Sequence, residues 1–239
     1  MQAASITNRG GRTGNEDHIG FAQADGIWCF VLCDGLGGHL CGEVASQLVC
    51  DTVISEFKKN PAVSVCSARN HLEKAACLLG EIRENDADKY NMSATAVLLL
   101  TDGDKAVYAH AGDSRLYYLT NGIISSITKD HSLAYMEYES GSITYDEIRR
   151  SPNQNRLTRC INDIYGFAPE FSDIIELRKG DAFLLCSDGF WEYVTEADIE
   201  NTLRTSLSPK KWLKKMLTTL HVNETEKNDN YSAIAVMIN

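Results

Sequence analysis

The chain has 239 residues, 44% of them hydrophobic, with a formal net charge of -10 and a pI near 5.1. That is enough apolar mass for a sizeable core, and with no linker in view the chain reads as one domain over 1–239. The acidic balance excludes nucleic-acid binding by bulk electrostatics, although a small anion still fits a local cation or metal.

The opening MQAASITNRGGRTGNED lacks the apolar run of a secretory signal, and no segment approaches the length of a membrane span, so a soluble cytoplasmic protein is expected. Ile27 to Cys33 is a short, bulky run bounded by Gly and Asp-Gly, which suits a buried strand. From Gly42 to Lys59 apolar residues recur at helical spacing, and residues 66–85 repeat the pattern. The period then changes. TAVLLL, KAVYAHAG, RLYYL and IISSIT read as strands joined by Asp102-Gly103 and Asn121-Gly122, which predicts that consecutive strands are antiparallel neighbours. Thr144 to Glu147 is spaced as a capping box, Thr195 caps a turn from Glu196, and Ser208-Pro209 opens a helix with Trp212, Leu213, Met216 and Leu220 on one face. A strand from Tyr231 to Ile238 ends the chain. Runs of strands set apart from runs of helices predict an α+β fold, two antiparallel sheets with helices outside. Eight dispersed cysteines without a Cys-x-x-Cys pair, three of them (Cys29, Cys33, Cys186) inside apolar runs, read as core residues rather than zinc ligands.

Acids gather at the predicted strand ends. Asp34 stands in D-G-L-G-G-H, where glycines let backbone and substrate approach closely. Asp188 emerges from AFLLCSDG, an environment costly for an unpaired carboxylate. Asp229-Asn230 precedes the last strand, Asn15-Glu16-Asp17 precedes another, and Asp113 lies between two strand-like pieces. Read singly, each Asp-Gly is a turn; read together, the carboxylates repel one another without a counter-ion. A hard divalent cation, Mg or Mn, matches oxygen ligands of this kind.

These residues resemble the metal-dependent protein serine/threonine phosphatases of type 2C. The blocks run in order: R-T-G-N-E-D (12–17), C-D-G-L-G-G-H (33–39), G-E-V-A-S (42–46), S-A-T-A-V (93–97) and A-G-D-S-R-L-Y (111–117). T-K-D-H-S (128–132), N-R-L-T-R (155–159), G-D-A-F-L-L-C-S-D-G (180–189) and D-N-Y-S-A (229–233) follow, in the manner of bacterial members without regulatory domains. The resemblance implies a four-layer α-β-β-α sandwich and a flap at about 130–159. It implies two Mn or Mg ions, with a possible third. Asp34 would bridge both, the Gly35 carbonyl would bind one, and Asp188 and Asp229 would bind the other. Asp17, with Glu16 nearby, would hold metal waters, Asp113 with Asp188 would form the third site, and Asn230 would support the ligands. Arg12 would hold the substrate phosphate by its planar fork. The implied reaction is attack on phosphoserine or phosphothreonine by a hydroxide bridging the two ions, with phosphoproteins as substrates and a serine/threonine kinase as the opposing partner.

The chain departs from some members in carrying Leu36 where they have a histidine acid. Leaving-group protonation then falls to a metal-bound water or to His39, which otherwise orders the glycine loop. Ser93-Ala94-Thr95 replaces the more usual Gly-Thr-Thr and is read as a packing change, and His131 is read as structural. The flap includes the acidic, tyrosine-rich YMEYESGSITY, which either tunes phosphopeptide choice or packs over the sheet. Two other functions compete: a pseudophosphatase that binds phosphoproteins without turnover, and a dinuclear hydrolase of small phosphate esters.

Overall fold

The protein is seen here as a computed structural model that describes residues 1–37, 40–86, 89–161 and 167–239. Its core explains why several strands are apolar on both faces. In the strand Ile27–Leu36 (β3), Cys29, Val31 and Cys33 pack against helices, while Phe30 and Leu32 point toward a second sheet. A strand covered on both sides has no solvent face to keep polar, so the sequence loses its alternation. The same division holds for Ala96–Thr101 (β5), where Leu98 and Leu100 face helices and Val97 and Leu99 face inward.

The first sheet pairs β3 with Asp17–Ala24 (β2) on one side and β5 on the other, followed by Lys105–Ala111 (β6) and the short Ile175–Glu176 (β10). Ser93–Ala94 (β4) pairs with the end of β3, and Glu170–Phe171 (β9) with β6. The second sheet has the order Gln2–Asn8 (β1), Tyr231–Met237 (β12), Ala182–Cys186 (β11), Arg115–Thr120 (β7) and Ile123–Ile127 (β8). All of these pairings are antiparallel. Helices Leu40–Lys59 (α1) and Val65–Asn85 (α2) cover the first sheet through Ala45, Val49, Phe57 and Leu72. Helices Asp188–Trp191 (α5), Glu196–Arg204 (α6) and Pro209–Asn223 (α7) cover the second through Trp191, Ile199, Trp212 and Met216. Three apolar cores separate four layers, as the resemblance implies. No helix among the described residues is long and apolar enough to cross a membrane.

The local signals act as the sequence predicts. Capping boxes start both Tyr145–Ile148 (α4) and α6, and Pro209 opens α7 behind the Ser208 cap. Cys29, Cys33 and Cys186 are fully buried in the cores. One expectation is corrected. Strands β5 and β6 do form a hairpin, as do β7 and β8, but β6 and β7 are not neighbours; they belong to different sheets. Gly112, at φ +104°, turns the chain across the sandwich, and an added Cβ there would lie 2.5 Å from the Thr95 side chain. Only glycine tolerates both that backbone and that approach.

The segment expected to form the flap begins at Asp130 and runs through Leu133–Glu139 (α3) and α4. It is anchored on Arg115, which is 1% exposed and forms a bidentate pair with Asp130 at 2.8 and 2.7 Å while stacking 3.6 Å from the Trp191 ring. Tyr135, Tyr138 and Tyr145 meet edge to face in a row against the core beneath the second sheet, so the tyrosine-rich half of the flap packs. Arg115→Met strands Asp130 without a partner in the interior and is expected to cost about 3–5 kcal/mol in urea unfolding. Pairing it with Asp130→Leu is expected to restore most of that loss; an equal loss in the double variant would show that the charge pair is not the reason.

Candidate active site

The two sheets end together, and their ends present the acids. Strand pairing places Asp17 directly opposite Asp34. The backbone around Asp34 is held by Thr95, whose hydroxyl accepts the Asp34 N–H at 2.9 Å and whose N–H reaches the Asp34 carbonyl at 2.8 Å. The Thr95 hydroxyl also meets that of Ser114 at 2.7 Å, just past the Gly112 crossing. Thr95 and Ser114 thus fix the strand rather than touch the chemistry, in keeping with the packing role expected of 93–95. From the second sheet, Ser187 donates to Asp17 Oδ2 at 2.7 Å and takes the Ser232 N–H at 2.9 Å. Ser187 therefore ties β11 and β12 to the acid of the opposite sheet. Ser187 stands in C-S-D-G, and nothing local in that stretch shows which strand its hydroxyl faces.

Asp34, Asp113, Asp188 and Asp229 line one cavity of about 560 Å³ with Glu16, Gly35, Asn155 and Leu157. Arg12 is the one basic residue among the described lining, and its guanidinium binds Asp229 at 2.6 Å. That bond uses one nitrogen of a fork that is 58% exposed at the cleft mouth. Asn230 supports the loops: its Oδ1 takes the Glu16 N–H at 2.7 Å, and its amide donates to the carbonyls of Arg9 and Gly14 at 2.8 and 2.9 Å. The predicted residues Arg12, Glu16, Asp17, Asp34, Gly35, Asp113, Asp188, Asp229 and Asn230 are thus brought to one place. His39 lies outside the described residues. The flap's second half contributes Asn155 and Leu157 to the lining, so one half packs while the other borders the cleft.

Burial pushes the Asp34 carboxyl well above the ordinary range, and Asp188, Asp17, Asp113 and Asp229 push it further. Asp188 is raised likewise, by burial and then by Asp113 and Glu192. Burial raises Asp17 to about 7 against the opposing hydrogen bonds from Ser187 and Ser232, and raises Asp113 to about 7 with Asp130 adding to it. Six acids with one arginine are short of positive charge. The backbone is shaped for a cation as well. Asp17 Oδ1 is buried with no hydrogen-bond partner. A Cβ on Gly42 would stand 2.2 Å from Glu16 Oε2 and 2.8 Å from the Gly35 carbonyl, so only glycine allows the backbone this close to both oxygens. These donors, all oxygen and several carboxylate, fit hard divalent cations.

The protein phosphatase 2C profile matches residues 8–230. The chain belongs to that family. It is 30% identical over 219 residues to a serine/threonine phosphatase, stp, of Listeria welshimeri, covering 88% of this chain and 86% of that protein. The fold superimposes on a crystal structure of a bacterial serine phosphatase with a TM-score of 0.90 at 29% identity, over 100% of this chain and 98% of that one. It also superimposes on the catalytic domain of the phosphatase PstP in complex with two manganese ions, with a TM-score of 0.84 at 26% identity, over 100% and 98% of the chains.

Raised carboxyls carry a sign that can be checked. Asp17 and Asp113 hold protons when folded at a pH where the unfolded chain, with carboxyls near 4, has released them. Their contribution to stability is complete at low pH and is lost as pH rises from about 4 through about 7. Metal-free protein is therefore expected to melt several degrees lower at pH 8 than at pH 5.5 by calorimetry in chelator, with added Mn reversing the fall. A metal-free melting temperature that rises over that range would contradict the assignment.

Proposed function

We propose that this chain is a Mn- or Mg-dependent protein serine/threonine phosphatase, one domain over 1–239, that hydrolyses phosphoserine and phosphothreonine in proteins and opposes a serine/threonine kinase. The observation that carries the reading is the convergence of Asp17, Asp34, Asp113, Asp188 and Asp229, drawn from both sheets, around a cleft with Arg12 at its mouth. Membership of the protein phosphatase 2C family supports it.

On this reading Asp34 and the Gly35 carbonyl would hold the ions from the first sheet, and Asp188 and Asp229 would hold them from the second. Asp17 and Glu16 would support them through water, and Asp113 with Asp188 would offer a weaker third position. When bound, the ions supply a water ionised near neutral pH and neutralise charge developing on the phosphoryl oxygens. Arg12 binds the substrate phosphate by its free N–H donors, which suit a bidentate contact. Its present bond to Asp229 sets the guanidinium beside the cleft before substrate arrives. Asn230 keeps the Gly14 and Glu16 loop in register with the last strand, so the mouth and the floor of the cleft hold one geometry. Leu36 has no proton to give and lines the cavity as an apolar wall.

The first test is phosphate release from a phosphothreonine peptide by metal-stripped protein with and without Mn. Release is expected to require Mn and to fall by about a hundredfold or more in Asp188→Asn. Arg12→Ala is expected to raise KM for the peptide about tenfold with a smaller change in kcat, as loss of a phosphate contact does. A folded, Mn-binding protein that releases nothing would favour the pseudophosphatase, and release from nucleotides or sugar phosphates alone would favour a small-ester hydrolase.

A further inference from the structure

His110, near the end of β6, and His131, at the start of the flap, lie outside the acidic cleft and have no part in the reading above. Their rings stack with centroids 4.5 Å apart and planes at 19°, and both are buried. With Glu170 they bring three metal-ligand atoms within 4.8 Å of one another. An imidazole binds a metal in its own ring plane, and two nearly parallel planes share no nearby point, so the stack does not suit one ion. The hydrogen bonds give a better account.

The Lys129 carbonyl can only accept, so His110 Nε2, 2.8 Å away, carries the proton of that ring. His131 Nδ1 accepts the Gly112 N–H at 3.2 Å, so its proton is on Nε2, which lies 3.3 Å from Glu170 Oε1 without the alignment of a hydrogen bond. A carboxylate on that side favours the tautomer that leaves Nδ1 as an acceptor. Glu170 is itself held by Arg159 at 2.9 Å. Burial, with His110 beside it, pushes His131 down to about 4, so the ring is neutral at neutral pH.

The backbone of His131 completes the grip, its N–H donating to the Gly112 carbonyl at 3.0 Å. Both polar groups of Gly112 are therefore bound by one residue. The carbonyl of Asp113, next in the chain, accepts the Trp191 indole N–H at 2.9 Å. Gly112 has no side chain to lock this crossing, so its direction depends on such bonds. We infer that His131 is a positioning residue: it clamps Gly112 through Nδ1 and its backbone N–H, and so sets how Asp113 enters the cleft. Its carbonyl takes the Thr158 N–H at 2.8 Å, which ties the flap segment next to Leu157 to the same turn. The inference rests on the phosphatase reading only for what Asp113 does once there.

The test compares His131→Asn, whose Oδ1 can replace Nδ1 as acceptor, with His131→Leu, which removes it. Hydrogen exchange of the Gly112 amide and calorimetric Mn binding are measured on the full metal-stripped chain. His131→Leu is expected to speed that exchange at least tenfold and to weaken one class of Mn site about tenfold, as loss of a supporting hydrogen bond does. His131→Asn is expected to stay within about threefold of wild type on both, a rescue that a merely space-filling ring would not show. Wild-type values in His131→Leu would overturn the inference, as would equal losses in the two variants. If His131→Leu does not fold, Glu170→Leu is the second variant; it frees the other tautomer and is expected to speed Gly112 exchange severalfold, with unchanged exchange overturning the inference. A wild type that binds no Mn would defeat the phosphatase reading, and Gly112 exchange would then decide the positioning role alone.

Discussion

The repulsion among Asp17, Asp34, Asp113, Asp188 and Asp229 is the constraint that the surrounding structure has to withstand. Acids from both sheets, each buried or lining one cleft, would spread apart if they stood on free loops. Here each is anchored by its backbone: Asp34 within β3 by Thr95, Asp113 by Gly112 and Trp191, and Asp188 at the first turn of α5. The bonds that hold these three come from neutral groups, hydroxyls, amides and an indole, which fix position without cancelling charge, whereas Asp229 is held by the Arg12 guanidinium. The unbalanced charge suits the divalent cations proposed for the cleft. Such a site is destabilising by construction when empty, and the thick three-core sandwich supplies the stability that it spends.

Two sheets rather than one make the arrangement possible. A single antiparallel sheet would set acids at successive strand ends side by side along a line. The sandwich folds that line back on itself, so Asp34 and Asp17 face Asp188 and Asp229 across a gap. Ser187 closes the gap on one side by bonding Asp17 from the opposite sheet. The Gly112 crossing and the flap base close it on another.

Much of this was legible in the residues. Strands and helices showed themselves where periodicity was strong, and α7 and both capping boxes appear where Pro209, Thr144 and Thr195 place them. The edge strand β1 was not assigned, because QAASITN is largely exposed and carries little apolar signal. The sheet change at Gly112 was misread because KAVYAHAG and RLYYL, separated by a tight turn, look like one more hairpin. Which acids would be offered was clear from composition at strand ends, and the family resemblance supplied their grouping. The partners that hold them were not clear. Ser187 and Asp17 are 170 residues apart, and no local pattern announces a contact of that span.

Strand β12 lies between β1 and β11, pairing Ser5 with Ile234 and Leu185 with the same Ile234. The chain's first strand thus waits for its last before it has a neighbour in the sheet, and Asp229 and Asn230 arrive with that last strand. On a ribosome, the first sheet and its helices have their residues long before the second can close. The cleft is then assembled only after β12 has been made, and contacts of such long range are slow to form. A nascent chain that lacks β12 carries Asp17 and Asp34 but no opposite wall, so the cleft itself is withheld from every such form.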